Sequence, residues 1–176
     1  MRTSTTCILI SLFIASSAHG QKRFELGPEY LRAFGKGYDN TKLAVRAERF
    51  SAKNSFSVGI TYQLASKKSY SVSRGFGAYI GYRYSFSNST TGSSPFGGAR
   101  VLFSFENFEG QTSRNSLFIT PWAELGYHFV FAKSYFAAPS IGYGYTKKMS
   151  RDYNSLNEDD GARFIPSLSA GYRFKP

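Results

Sequence analysis

The stretch Leu117-Phe118-Ile119-Thr120-Pro121-Trp122-Ala123-Glu124-Leu125-Gly126-Tyr127-His128-Phe129-Val130-Phe131 alternates with a period of two. Leu117, Ile119, Pro121, Ala123, Leu125, Tyr127, Phe129 and Phe131 make one wholly apolar face. Phe118, Thr120, Trp122, Glu124, Gly126, His128 and Val130 make a mixed face that carries a carboxylate. Period two is the signature of a strand, because successive side chains leave the backbone on opposite sides. The run is far longer than the usual strand of about 5–6 residues. About 9–11 tilted strand residues cross the hydrocarbon of a bilayer. The length therefore suits a strand whose apolar side meets lipid rather than a protein core.

Seven further segments repeat the pattern. Strand one covers about Phe24–Ala33, with Phe24, Leu26 and Tyr30 outward. Strand two covers Thr41–Phe50, with Leu43, Val45 and Ala47 outward. Strand three covers Phe56–Leu64, with Phe56, Val58, Ile60, Tyr62 and Leu64 outward. Strand four covers Arg74–Phe86, with Phe76, Ala78, Ile80, Tyr82, Tyr84 and Phe86 outward. Strand five covers Gly97–Asn107, with Ala99, Val101, Phe103 and Phe105 outward, and the opening stretch is strand six. Strand seven covers Tyr135–Thr146, with Tyr135, Ala137, Ile141, Tyr143 and Tyr145 outward. Strand eight covers Arg163–Phe174, with Phe164, Leu168, Ala170, Tyr172 and Phe174 outward. In lipid no backbone group can stay unpaired, so such a sheet must close. The expectation is all-β: a single eight-stranded antiparallel up-and-down transmembrane β-barrel.

The inward faces are rich in glycine, as a narrow barrel needs where backbones and bulky lumen side chains come close. Pro28, Pro121, Pro139 and Pro166 fall inside strands, where each costs a ladder hydrogen bond or marks a bulge. The connections Ser51–Ser55 and Ala132–Ser134 are tight, whereas Lys147–Ala162 is long and polar. Gly35–Asn40, Ala65–Ser73 and Phe108–Asn115 are intermediate, and Ser87–Phe96 is long for a turn. Outer-membrane barrels have short periplasmic turns and longer external loops. An even strand number puts both termini in the periplasm and Lys147–Ala162 outside.

Residues 1–20 read as a cleaved secretory signal peptide, leaving a barrel domain over residues 21–176. Arg2 is the positive n-region, Cys7–Ala15 the apolar core, and Ala18-His19-Gly20 the small-residue cleavage site before Gln21. Cys7 is the one cysteine, so the mature chain has no disulfide and no thiolate metal site. Removing Arg2 from 22 basic residues leaves 21 against 11 acidic ones, a net charge of +10.

Five acids face inward: Glu25, Glu29, Glu48, Glu106 and Glu124. Five bases do so as well: Arg46, Arg83, Arg100, Arg163 and Arg173. Charges in a low-dielectric interior need partners, and equal numbers supply them. The expected pairs join neighbouring strands: Glu29 with Arg46, Arg100 with Glu124, and Arg173 with Glu25. With His128 these residues form a charged lumen network with no through-channel. The excess positive charge then lies in loops, turns and strand ends.

The phrases Gly75-Phe76-Gly77-Ala78-Tyr79-Ile80-Gly81-Tyr82-Arg83-Tyr84 and Ser169-Ala170-Gly171-Tyr172-Arg173-Phe174 resemble small outer-membrane barrels of Bacteroidetes-type bacteria. Those proteins are similar in plan to OmpA- and OmpX-like barrels. The resemblance implies a porin-like outer-membrane protein. The last strand resembles the signal read by the outer-membrane insertion machinery, although Lys175 and Pro176 follow its Phe.

Chemistry is sparse. His128 is the only mature histidine. A lipid A-modifying enzyme would make it a base oriented by Glu124, but no serine is aimed at it, and a lumen histidine is the simpler reading. Asp152, Asn154, Asn157, Glu158, Asp159, Asp160 and Gly161 crowd the long loop without EF-hand spacing, so a solvated loop is expected rather than a Ca²⁺ site. Lys36, Lys42, Lys67, Lys68, Arg114, Lys147, Lys148 and Arg151 lie in or beside external loops. They suit the phosphates of lipopolysaccharide. Trp122 reads as lumen filling. The expected partners are outer-membrane lipid, lipopolysaccharide and the insertion machinery; nucleic acid is not expected, and neither is a cofactor. A monomeric, non-enzymatic barrel of the bacterial outer membrane leads. A lipid A-modifying or small-apolar-ligand barrel is the alternative. A secreted barrel of lipocalin type, with its apolar faces inside, is a third reading.

Overall fold

The long alternating segments have only one way to satisfy every backbone group, which is to pair edge to edge until the sheet meets itself. The computed structural model describes residues 23–35, 38–66, 72–87, 92–108, 116–149 and 160–174. They form β1 (Arg23–Gly35), β2 (Tyr38–Ser51), β3 (Asn54–Ser66) and β4 (Val72–Ser85). The second half comprises β5 (Ser94–Phe108), β6 (Ser116–Phe131), β7 (Tyr135–Lys148) and β8 (Gly161–Phe174). Each strand pairs antiparallel with the next, and β1 with β8, in a closed up-and-down barrel. The closing seam sets Glu25 against Arg173, Leu26 against Tyr172 and Leu31 against Ser167.

Every expected face lies on the expected side. Ile60 is 72% exposed and Glu29 is fully buried. The barrel is thus turned inside out relative to a soluble protein, with apolar side chains outside and charges inside. This corrects the lipocalin-type reading, which needs the opposite. On the outer face Val58, Ile80, Val101, Leu125 and Ile141 occupy the middle. Aromatic rows flank them. At the end that holds the termini, Phe24 packs on Phe174, Tyr135 on Tyr172, and Phe129 between Tyr127 and Phe131. At the loop end, Phe34 packs on Phe164 and Phe76 on Phe105.

The turns at the terminal end are tight. Ala52 (φ 51°) starts the β2–β3 turn; Ala132 (φ 45°) and Lys133 (φ 66°) make the β6–β7 turn. The left-handed region costs a non-glycine residue roughly 1–2 kcal/mol, which the flanking ladders must offset. The expected long Ser87–Phe96 turn is shorter, because β5 begins at Ser94. The Phe86 N–H donates to the Pro95 carbonyl at 3.1 Å and stitches its base.

The in-strand prolines do not mark bulges. Register shifts occur instead between Thr41 and Lys42 and between Val72 and Arg74. Pro28 and Pro166 leave gaps in the β1–β8 ladder, and Pro121 and Pro139 in the β6–β7 ladder, with the register on either side unchanged. Each ring lies on the outer face, where the missing N–H costs one bond and displaces nothing inside.

Inside, large residues face glycines across the ladder. Tyr79 is paired with Gly59, Arg46 with Gly59, Arg83 with Gly98, Arg100 with Gly81, and Trp122 with Gly144. A Cβ at Gly59 would run into the Tyr79 ring. We expect Gly59→Val to lower the unfolding free energy by about 1–3 kcal/mol through overpacking. Outward Ala78→Val should change it by less than about 0.5 kcal/mol. Denaturant titration in detergent, followed through Trp122, the only tryptophan, measures both.

Candidate functional site

The lumen is the one place where the described residues gather charge away from solvent. Five glutamates, five arginines and Lys42 are all buried. Their side chains come from facing strands because the glycines opposite leave room for long stems to cross. Three layers stack along the barrel axis.

The central layer is the largest. Glu124 on β6 accepts from Arg83 Nε at 2.6 Å, Arg100 Nε at 2.9 Å and Ser140 Oγ at 3.2 Å. Arg100 on β5 then reaches across the lumen to Glu29 on β1, with its Nη1 donating at 2.7 Å. The Tyr79 hydroxyl also donates to Glu29. Arg83 approaches Glu48 at 3.6 Å, and Glu48 accepts from Arg46 and from Ser55 Oγ. Arg46 Nη1 donates to Ser169 Oγ at 2.6 Å, and Ser140 bonds Ser167 at 2.6 Å. One connected set of hydrogen bonds and ion pairs therefore touches all eight strands. The arginine charges are also faced by rings: Arg100 lies 5.2 Å from the centroid of Tyr79 and Arg83 lies 4.1 Å from that of Phe96. Such contacts contribute roughly 0.5–2 kcal/mol each.

Toward the terminal end, Arg173 Nε donates to Glu25 at 2.6 Å, and His128 Nε2 lies 3.1 Å from the same carboxylate. The imidazole stacks on Phe136 and is tilted against Phe50. Toward the loop end, Lys42 Nζ donates to Glu106 at 2.7 Å, and Asn40, Gln63 and Ser104 complete the cluster. The lumen includes two cavities of about 20 Å³, one near Arg83 and His128 and one near Lys42 and Trp122. Each has room for about one water.

Two of the pairs drawn from sequence are formed, Arg100 with Glu124 and Arg173 with Glu25. The third is not. Arg46 bonds Glu48 and Ser169, while Glu29 is held by Arg100 and Tyr79. Neighbour-strand reasoning fails there because the barrel is narrow enough for β1 and β5 to meet through their side chains. Lys42 is a second correction. It sits in the lumen, not beside a loop, and makes six buried bases against five acids. Its parity announced this: Lys42 shares the inward phase of Arg46 and Glu48.

The remaining expectations divide by location. Glu124 is engaged by two arginines and does not orient His128, which Glu25 holds. Ser94 lies opposite His128 in the ladder, and its hydroxyl bonds Ser85 at 3.0 Å. Trp122 is buried against Tyr79. Lys147 is exposed and points outward, and Lys148 is half-buried with its N–H donating to Asp160 Oδ1 at 2.7 Å. Lys36, Lys67, Lys68, Arg114 and Arg151 lie outside the described residues, as do Asp152, Asn154, Asn157, Glu158 and Asp159.

The closed eight-stranded barrel has known counterparts in fold. The chain has the fold of outer-membrane β-barrels. The N-terminal β-barrel domain of OprF from Pseudomonas aeruginosa superposes with a TM-score of 0.61, covering 89% of this chain and all of that domain at 14% identity. Neisserial surface protein A gives a TM-score of 0.62 over 91% of this chain and all of its own, at 16% identity. No protein-family model matches the chain, and no curated protein matches it in sequence. The likeness is one of architecture.

Removing one partner of a buried ion pair strands the other, at a cost of about 3–5 kcal/mol, whereas replacing both with neutral groups is often harmless. Glu106→Gln should therefore destabilise the barrel by about 3 kcal/mol through Lys42. The double variant Lys42→Met, Glu106→Gln should recover most of that loss. Unfolding titrations of the two singles and the double measure the coupling, and additive losses would refute a shared pair.

Proposed function

We propose that this protein is a non-enzymatic integral barrel of the bacterial outer membrane, exported with a cleaved signal peptide over residues 1–20. Its lumen is closed by its own side chains, and its role is structural or carried by the external loops and outer face. The observation that supports this best is the inversion of burial, with Ile60 72% exposed while the central arginine–glutamate network is sealed inside. An exposed apolar belt between two aromatic girdles is the exterior a bilayer selects. A lumen crossed by Arg100–Glu29 and Arg83–Glu124 leaves no wet path for ions. The reading places the chain with small barrels of Bacteroidetes type and makes the insertion machinery, outer-membrane lipid and lipopolysaccharide its partners. Outward Tyr172 and Phe174 near the end of β8 fit the assembly signal, and a monomer fits the closed ladder.

The enzymatic alternative is weaker. A general base needs a nucleophile within hydrogen-bond reach. His128 is bonded instead to Glu25 and packed between Phe50 and Phe136. His128→Ala should leave the lipid A mass spectrum of an expressing strain unchanged; an altered spectrum would favour the enzyme.

Three measurements test the main reading. The native protein should fractionate with outer membrane and migrate faster on SDS gels unboiled than boiled. Recovery from the soluble fraction without detergent would contradict it. Reconstituted in planar bilayers, it should show no steady ion conductance. Ile60→Arg places a charge on the lipid side near the bilayer middle and should cost about 2–4 kcal/mol in vesicle unfolding titrations, against a small change for Leu64→Arg nearer the loop end.

A further inference from the structure

Two hollows on the outside of the barrel are far larger than the two lumen cavities. A groove of about 500 Å³ crosses β5 to β8, with Gly97 and Ala123 as its floor and Leu125, Ile141, Tyr143 and Phe164 as its walls. A second of about 390 Å³ adjoins it through Ala99, which faces Ala123 across the β5–β6 ladder. Small residues at these outward positions sink the surface, and tyrosines and aliphatics bound it. Both volumes fall within the range of about 300–1,000 Å³ in which proteins hold ligands. Apart from the Tyr143 hydroxyl, the outward side chains that line the groove are apolar. Glu124, which borders it, sends its carboxylate inward to Arg83 and Arg100.

Lys147 lies at the loop end of the same strand that forms one wall. It continues the outward phase of Ile141, Tyr143 and Tyr145, is exposed, and faces Ile119 across the ladder. Among the described residues no carboxylate is within ion-pair distance of it. Three residues lie between it and Tyr143, so it stands about 14 Å further along the strand at roughly 3.4 Å per residue, or about 10 Å along the bilayer normal at a tilt of about 40°. Half of a bilayer's hydrocarbon is about 15 Å. A cation thus sits above an apolar trough within the span of one leaflet, at the end of the barrel that carries the loops.

The geometry points to a lipid site on this face: the trough takes an acyl chain and the Lys147 ammonium takes the phosphate of the same molecule. The occupant is an outer-leaflet glycolipid that carries both groups, lipid A. A single cation with an apolar slot below it suits a phosphorylated, acylated headgroup better than a protein, whose helix or strand would need a longer polar register than one lysine supplies. The inference rests on the outer-membrane reading and narrows it to one wall, β5 to β8.

The test uses the full barrel domain refolded in detergent and mixed separately with purified lipid A, dephosphorylated lipid A or phosphatidylglycerol. Retained lipid is counted by native mass spectrometry after the detergent is stripped. Wild type should retain one lipid A and markedly less of the other two. Lys147→Glu should reduce retention at least fivefold, and so should Ala123→Trp, which fills the trough. Heat-modifiable migration checks that each variant is folded; if Ala123→Trp does not fold, Lys147→Glu decides alone. Equal retention in wild type and folded variants would overturn the site. Equal retention of phosphatidylglycerol would overturn the choice of lipid. Failure of wild type to insert into phosphatidylcholine vesicles would overturn the membrane reading itself, whereas insertion without lipid A retention would overturn this inference alone.

Discussion

The bond from Arg100 to Glu29 spans the lumen from β5 to β1, and the rest of the interior is arranged around it. Arg100 also donates to Glu124, which accepts from Arg83 as well, and Arg83 leads on to Glu48 and Arg46. A charge taken out of water costs several kcal/mol unless partners replace its hydration. Here no member can be withdrawn without stranding another. The network is also geometric. It fixes the distance between opposite walls, so it specifies a closed cylinder of eight strands rather than an open or larger sheet. The glycines at 59, 81 and 98 are part of the same device, since each leaves space for the stem or ring opposite.

The two sides of the wall then carry separate duties. Inside, the charged groups bond one another, although Arg46 Nε, Arg83 Nη2 and Arg100 Nη2 are left without a hydrogen-bond partner among the described residues. Outside, nothing needs a hydrogen bond, so the prolines at 28, 121, 139 and 166 are tolerated where each loses a single ladder contact. The aromatic rings cluster at the two ends and the aliphatics between them. Where Gly97, Ala99 and Ala123 lie, the outer surface sinks into two adjoining hollows.

Much of this was legible in the sequence. Period two assigned every strand and every face, because it is a property of the backbone and the solvent on each side acts on all strands alike. The inward charges were legible by parity alone. Their partners were not. Pairing Glu29 with Arg46 assumed that neighbours meet, whereas the diameter of the barrel decides which walls can touch. Lys42 was misplaced because its nearness to a strand end outweighed its phase. The glycines facing Arg83 and Arg100 were the unused signal, since a small residue opposite a long one shows that the long one crosses the lumen. For the in-strand prolines the sequence leaves a lost ladder bond or a bulge open, and the unbroken register decides for the lost bond.

Single cysteines placed at each position from Leu117 to Phe131, in the chain from Gln21 onward that contains no other thiol, can be spin-labelled after reconstitution in vesicles. Collision with oxygen, which partitions into lipid, and with a water-soluble nickel chelate reports the surroundings of each label. The account predicts period two along the whole stretch, with oxygen contact high and nickel contact low at Ala123, Leu125 and Tyr127, and both low at Trp122, Glu124 and His128. Loss of the alternation, or nickel contact at the even positions through the middle of the strand, would contradict a closed lumen inside a lipid-facing wall.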